Sequence, residues 1–393
     1  METTAAPARA ELVQRVTELL PTLRKNALWG EENRRLSDET IEALTASGIL
    51  KMRVPHRYGG YESDMRSVVD VVSQLGRGDG ATSWTVAVWM ISAWMAGMFP
   101  DEVQDEIFAT PDVRISGILS PSALAVPADG GVVLNGKWSF NTGAQQSHWN
   151  TNAAVLAQPD GAHVPIMVAI PISDLAVVDD WYTSGLRGSG SITTIAENLF
   201  VPQARVLHMG PVLQGQHQSV ANAASVIYRA PFMSTACTTV GAVSLGMALA
   251  GREAFLDRLP GRKITYTDYA NQGEAPVTHL QVAEATVKVD EARFHAFGAA
   301  EMLDTKAVAD EPWTIEERAR IRLALGATTQ RAKEAVDILN AASGGSSIYH
   351  DVPIQRIFRD VQTLNLHAIM NPSTNLELYG RIICGLEPNT LYI

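Results

Sequence analysis

Apolar positions recur three and four residues apart over residues 8–75. Leu12, Val13, Val16, Leu19, Leu20 and Leu23 make one stripe, and Ile41, Leu44 and Ile49 make another, the spacing that gathers side chains on one face of an α-helix. Ser37, followed by acidic Asp38 and Glu39, precedes the second stripe, and Gly48 follows it. A side-chain acceptor with negative charge in the first turn, then a glycine, marks where a helix starts and stops. A third helix is expected over residues 65–75. From Arg114 to about Pro202 the pattern changes to short alternating runs at 132–134, 136–140, 153–157, 164–170, 175–178 and 193–200, divided by Gly, Pro, Asn and Asp. These runs predict an antiparallel β barrel or sandwich. Helical spacing returns after a polar stretch near 210–222 and predicts helices over 223–259, 277–304, 315–342 and 354–367. The expected class is therefore α+β in three parts: an N-terminal helical domain (1–112), a central β domain (113–218) and a C-terminal helical bundle (219–393).

Two uncharged runs, 81–99 and 230–251, approach the length of a membrane span. Each contains Ser, Thr or Gly, and Asp79 and Asp101-Glu102 flank the first, where membrane ends carry basic residues. Both are expected to be buried core helices. Gly76 to Ala81 satisfies GxGxxA. No alternation of strand and helix follows it, so a glycine-rich break between helices is expected rather than a dinucleotide loop.

At 393 residues with 46% hydrophobic composition, the chain can bury more than one core. A formal charge of −11 without a basic run argues against a nucleic-acid partner. Two cysteines, Cys237 and Cys384, provide no zinc spacing and no redox pair. The N-terminus lacks the basic and apolar blocks of a secretion signal, so the cytoplasm is the expected compartment. HExxH, Walker and GxSxG motifs are missing, which leaves metal hydrolysis, phosphoryl transfer and α/β-hydrolase chemistry without their parts.

Near the end of the chain, Gly344-Gly345-Ser346-Ser347 is a turn whose backbone N–H groups can approach a phosphate or ribose. The helical pattern that follows ends at His367, placing a titratable ring at a helix–loop junction. Together with Arg359-Asp360, this run resembles the C-terminal signature of acyl-CoA dehydrogenases. Where many of those enzymes carry a catalytic glutamate this chain has Ala368, and the preceding position, commonly tyrosine, is His367. A histidine there, followed by the Asn371 to Arg381 run, is similar to the reduced-flavin monooxygenases that share the acyl-CoA dehydrogenase fold. Three further stretches carry the resemblance: 117–122 with Pro121, 134–143, and 185–191 with its later Val201-Pro202.

The resemblance implies a two-component flavin-dependent monooxygenase. A separate NAD(P)H-dependent flavin reductase would supply reduced FAD or FMN, which reacts with O2 to a C4a-hydroperoxide that hydroxylates an aromatic or heteroaromatic small molecule. A homotetramer is implied, with no nucleic acid, membrane or metal. An isoalloxazine needs an apolar wall and hydrogen bonds at N5 and along its pyrimidine edge. Trp138 is expected to be the wall, Ser139 or Thr142 the N5 partner, and Leu119 and Ser120 the backbone contacts to the pyrimidine. Arg187, Ser189, Arg262 and Gly344, Gly345, Ser346 and Ser347 complete the cofactor contacts, the last four touching the adenosine half of a neighbouring subunit's FAD. Trp84, Trp89, Met90 and Asn371 are expected around the substrate, and His367, Thr142 and Ser139 are the catalytic candidates. His148 is expected to be structural. Three rivals stay open: a sugar-amine N-oxygenase of the same fold, an acyl-CoA dehydrogenase with Glu253 as a relocated base, and a non-catalytic flavin-fold subunit.

Overall fold

A computed structural model describes residues 6–393. Five helices come first: α1 (Arg9–Asn33), α2 (Asp38–Ser47), α3 (Met65–Gly78), α4 (Gly80–Ala96) and α5 (Asp101–Phe108). Leu12, Val16, Leu20 and Leu23 form the buried face of α1, as the stripe predicts. At α2 the Ser37 hydroxyl accepts the Thr40 N–H at 3.1 Å and Gly48 closes the helix at φ 74°. Such a cap contributes about 1 kcal/mol.

Helices α3 and α4 are separated by Asp79 alone, whose backbone is extended (φ −158°) and whose carboxylate accepts the Thr82 N–H at 2.8 Å. The glycines around it serve close packing: a Cβ on Gly76 would stand 2.9 Å from the Cα of Gly246. The GxGxxA match is thus a helix break, as expected.

Eight strands follow: β1 (Ile115–Ile118), β2 (Ala123–Ala128), β3 (Gly131–Asn141), β4 (Trp149–Ala157), β5 (His163–Pro171), β6 (Ala176–Val178), β7 (Ile192–Pro202) and β8 (Val206–His208). They pair in the order β6-β7-β3-β2-β4-β5-β8, with β1 also on β4. The sheet is mixed, which corrects the expected all-antiparallel arrangement. Both β1 and β2 run parallel to β4, Ile115 opposite Trp149 and Leu124 opposite Val155. The turn through Pro121 divides one run into two strands lying end to end along β4; Pro121 has no N–H for a ladder. The runs at 132–134 and 136–140 join into β3, whose register slips against β7 between Leu134 and Gly136 and again between Trp138 and Asn141.

The last helices are α6 (Met209–Leu213), α7 (Phe232–Arg258), α8 (Pro276–Ala309), α9 (Ile315–Ala342), α10 (Pro353–Leu366) and α11 (Pro372–Ile383). Helix α7 is long and apolar enough to cross a membrane, but its apolar window is wholly buried inside the protein. It packs on α3, α4, α8, α9 and α10 and joins the helices before and after the sheet into one core.

Candidate active site

Proline at the first turn opens α10, and the helix ends at Leu366, leaving His367 extended. The Ile369 N–H approaches His367 Nδ1 at 3.3 Å. An N–H aimed at Nδ1 requires a lone pair there, so the neutral ring carries its proton on Nε2. Trp84 packs against the imidazole, edge to face, with centroids 5.2 Å apart. The ring is reached by solvent from one side, yet protein atoms crowd it elsewhere and push its pKa down to about 4. It is neutral at pH 7. Ala368 beside it is exposed, and no carboxylate takes the place of a dehydrogenase base.

Trp84 begins a chain of buried hydrogen bonds. Its indole N–H donates to Thr142 Oγ1 at 3.0 Å, Thr142 and Ser191 share a 2.8 Å bond, and Ser191 and Ser189 share another of 2.8 Å. The Gly143 N–H closes on the Ser189 carbonyl at 3.0 Å. Thr142, Ser189 and Ser191 are all at most 3% exposed, so Thr142 is already committed to Trp84 and Ser191. The loop carrying Ser189 has left-handed residues at Leu186 (φ 51°) and Gly190 (φ 51°). It is stitched to α10: Leu186 N–H donates to Asp360 at 2.6 Å, and Arg359 donates to the Ser184 carbonyl at 2.7 Å. Gly185 permits this approach, since a Cβ there would meet the Arg359 carbonyl at 2.3 Å. Arg187 donates to the Glu31 and Thr183 carbonyls, tying the loop to α1.

The end of β3 presents two successive residues outward. Ser139 is exposed and Phe140 is 66% exposed, with φ 66° and its ring edge-to-face on Trp181 at 5.8 Å. Trp138, the expected flavin wall, is fully buried among the strands and donates its indole N–H to the Ala153 carbonyl at 2.8 Å. It belongs to the β core and touches no open surface; on this strand Phe140 is the aromatic residue that does. The register slip between Trp138 and Asn141 breaks the two-residue alternation on which parity arguments depend. Leu119, half-buried, accepts the Tyr392 hydroxyl at 3.2 Å, and Ser120 is exposed.

The Gly344 turn lies at the other end of α10. Gly344 has φ 64°, Gly345 and Ser346 are exposed, and Ser347 is buried, its hydroxyl donating to the Gly344 carbonyl at 2.7 Å. Arg262 donates to the Ser343 carbonyl, and Arg258 approaches the Ser346 hydroxyl at 3.4 Å. Among the described residues neither arginine has a carboxylate partner, and each lies close to an open glycine turn. That donor set suits a phosphate.

Other expected residues lie elsewhere. Trp89 and Met90 are 2% and 1% exposed and belong to the helical core, with the Trp89 indole donating to Ser147 Oγ at 3.0 Å. Helix α4 is apolar and buried on nearly all sides, so spacing could not separate a pocket face from a core face. Asn371 caps α11, its side chain accepting the Ser373 and Thr374 N–H groups. Its polarity is used locally. His148 Nδ1 accepts the Arg114 N–H at 3.0 Å, a structural bond as expected. Glu253 is held by Arg24 at 2.5 Å and Arg77 at 2.6 Å, joining α7 to α1 and α3. Two guanidinium partners make it a strut between helices.

Residues 9–110 match the acyl-CoA dehydrogenase N-terminal domain, and residues 238–372 match the acyl-CoA dehydrogenase C-terminal domain. The oxygenase subunit HsaA of a flavin-dependent monooxygenase from Rhodococcus jostii (strain RHA1) is 29% identical over 380 residues, 95% of this chain and 98% of that protein. The oxygenase component of an FADH2-dependent resorcinol hydroxylase from Rhizobium sp. (strain MTP-10005) is 28% identical, covering 97% of this chain and 96% of that one. Among solved structures, XiaF from Streptomyces sp., in complex with FADH2 and glycerol, superposes with a TM-score of 0.92 at 30% identity, covering 97% of each chain.

Proposed function

The chain belongs to the two-component flavin-dependent monooxygenases of the acyl-CoA dehydrogenase fold, and we propose that it hydroxylates an aromatic or heteroaromatic ring with reduced flavin delivered by a separate reductase. The observation that carries this reading is the pair at the end of α10: a neutral imidazole at His367 with no carboxylate at Ala368. Proton abstraction next to a thioester needs a base of the kind missing here, whereas oxygen transfer to an electron-rich ring is helped by a hydrogen-bond donor aimed at the charge developing on the departing oxygen.

The residues present fit a flavin. Phe140 offers an exposed aromatic face, Ser139 stands beside it, and Arg258 and Arg262 flank an open glycine turn without anionic partners of their own. In this reading Phe140 and Ser139 hold the ring system, Leu119 and Ser120 lie along its pyrimidine edge, and Arg262 with Gly344 to Ser347 takes phosphate or adenosine. The bonds that Arg187 and Ser189 make hold the loop beside it in place. Reduced flavin, when bound, supplies the electrons that activate O2 and passes one oxygen atom to the substrate. His367 keeps its proton on Nε2 and offers it as a hydrogen-bond donor. Thr142 fixes Trp84, and Trp84 in turn covers one side of that imidazole.

The decisive experiment supplies chemically reduced FAD or FMN, 18O2 and a panel of phenols and indoles. One labelled hydroxyl in the product is expected, and its absence with both flavins across the panel overturns the reading. A Thr142→Val variant is expected to keep the flavin but divert roughly three- to tenfold more O2 into free peroxide, because Trp84 loses its acceptor. Peroxide per mole of flavin oxidised is the measurement.

We also propose a homotetramer. Leu280, Val287 and Phe294 recur every seven residues on α8 and are 72%, 56% and 74% exposed, an apolar stripe of the kind that covers itself against another copy. Phe294→Glu combined with Leu280→Glu should lower the mass measured by light scattering to that of a dimer or monomer; an unchanged mass would exclude this face.

A further inference from the structure

We propose that Asp360 is a positioning residue for cofactor binding: its carboxyl clamps the Leu186–Ser189 loop onto α10 and abuts the α3–α4 break beside Asp79. The proposal rests on the flavin reading above. Asp360 is 3% exposed and Asp79 7%. One oxygen of Asp360 accepts the Leu186 N–H at 2.6 Å. The other faces the α3–α4 break, 3.4 Å from where a Cβ on Gly80 would stand. Asp79 uses one oxygen to accept both the Thr82 N–H at 2.8 Å and the Thr82 hydroxyl at 2.7 Å.

Among the described residues no cation forms an ion pair with either carboxylate. Each neighbouring element has its charges placed elsewhere. On α10, Arg359 is paired with Glu31 of α1 at 2.6 Å, and Arg356 acts on Asp360 only at a distance. In the loop, Arg187 is spent on the Glu31 and Thr183 carbonyls. From α7 the side chain meeting this corner is Met247, which is uncharged. Two like charges in a dry site are costly, which favours the protonated form of Asp360. Burial, and then Asp79, push Asp360 up to about 7.

The corner matters because three elements of the site meet there. Asp79 caps α4, which carries Trp84 one turn later. Asp360 lies two turns before His367 on α10. The loop between them carries Ser189, which connects through Ser191 and Thr142 back to Trp84. These contacts form a closed circuit. With the proton in place the circuit is tight. Without it, Asp79 and Asp360 repel across the junction, and the α3–α4 break that leads to Trp84 is pushed away from α10.

The test measures the Kd of anaerobically reduced FAD by tryptophan quenching from about pH 5.5 to about pH 9. Wild-type affinity is expected to weaken roughly three- to tenfold as pH rises through the clamp's range. Asp360→Asn keeps an acceptor for Leu186 and cannot ionise, so it should lose this component and retain only the titration of the flavin itself. Asp79→Asn should move the midpoint to lower pH. A group whose folded pKa is raised stabilises below the ordinary carboxylate range and loses that contribution as pH rises through about 7. The Tm of Asp360→Asn should therefore gain on wild type at alkaline pH. Parallel wild-type and Asp360→Asn binding curves overturn the clamp, and should Asp360→Asn not fold, an unshifted midpoint in Asp79→Asn does so. A wild-type protein that binds no reduced flavin at any pH overturns the flavin reading instead.

Discussion

Replacing His367 by alanine is expected to lower the rate of hydroxylation by about 10²-fold, at the lower end of what one positioned hydrogen-bond donor contributes, with reduced-flavin affinity changed by no more than a few-fold. The imidazole is held from two sides, by the Ile369 N–H on Nδ1 and by the Trp84 ring, which leaves Nε2–H as the group offered outward. Because its pKa lies down near 4, the ring stays neutral through the working range, and no limb from its titration should be seen above about pH 5. His367→Gln, which retains a donor, should recover part of the loss; His367→Ala with wild-type product yield and rate would remove the residue from the chemistry. The measurement is single-turnover product formation with flavin saturating, so that binding and chemistry are separated.

Replacing Phe140 by alanine is expected to weaken reduced-flavin binding by roughly 30- to 100-fold, the effect of removing an aromatic anchor worth about 2 to 3 kcal/mol. The ring projects from a backbone that a non-glycine residue adopts only at a cost, φ 66°, and it is two-thirds exposed. A residue that is both strained and apolar at an open surface points to something that covers it. Phe140→Tyr should bind nearly as wild type. Trp138→Phe provides the contrast: it disturbs only the β core and should reduce Tm without a selective loss of flavin. Equal Kd values for wild type and Phe140→Ala would sink the assignment.

Part of the fold could be read from side-chain spacing because helices such as α1 bury one face. The α1 stripe, the Ser37 cap and the Gly48 stop needed only local rules, and the glycine break between α3 and α4 was visible because no strand follows it. Strand direction was not legible. A run of alternating residues looks the same whichever way its neighbour points, so the parallel placement of β1 and β2 on β4 left no mark on the pattern. The site was legible in part. In the proposed site, His367 and Ala368 are legible because they stand at a fixed distance from Arg359-Asp360, and the terminal turn because glycines have few other uses. Trp138 lies inside because one slip in register exchanges inside for outside, and Phe140 two positions on is the ring that faces outward. Trp89 and Met90 sit in a helix with apolar residues all round, where nothing in the spacing marks a cavity. Asp360 hid in plain view as part of a motif, since a sequence does not say that two aspartates 281 positions apart share a corner.

The helix between that corner and the imidazole also acts as a gauge. From Asp360 to His367 is seven residues, the first six steps of it inside α10, and a helix turns by about 100° for each residue. One residue inserted after Asp360 would leave every side chain chemically intact and swing the ring to another face, away from Trp84. What α10 encodes is a length as much as a composition, and single-residue insertions and deletions along it should abolish turnover where most substitutions on its outer face are tolerated.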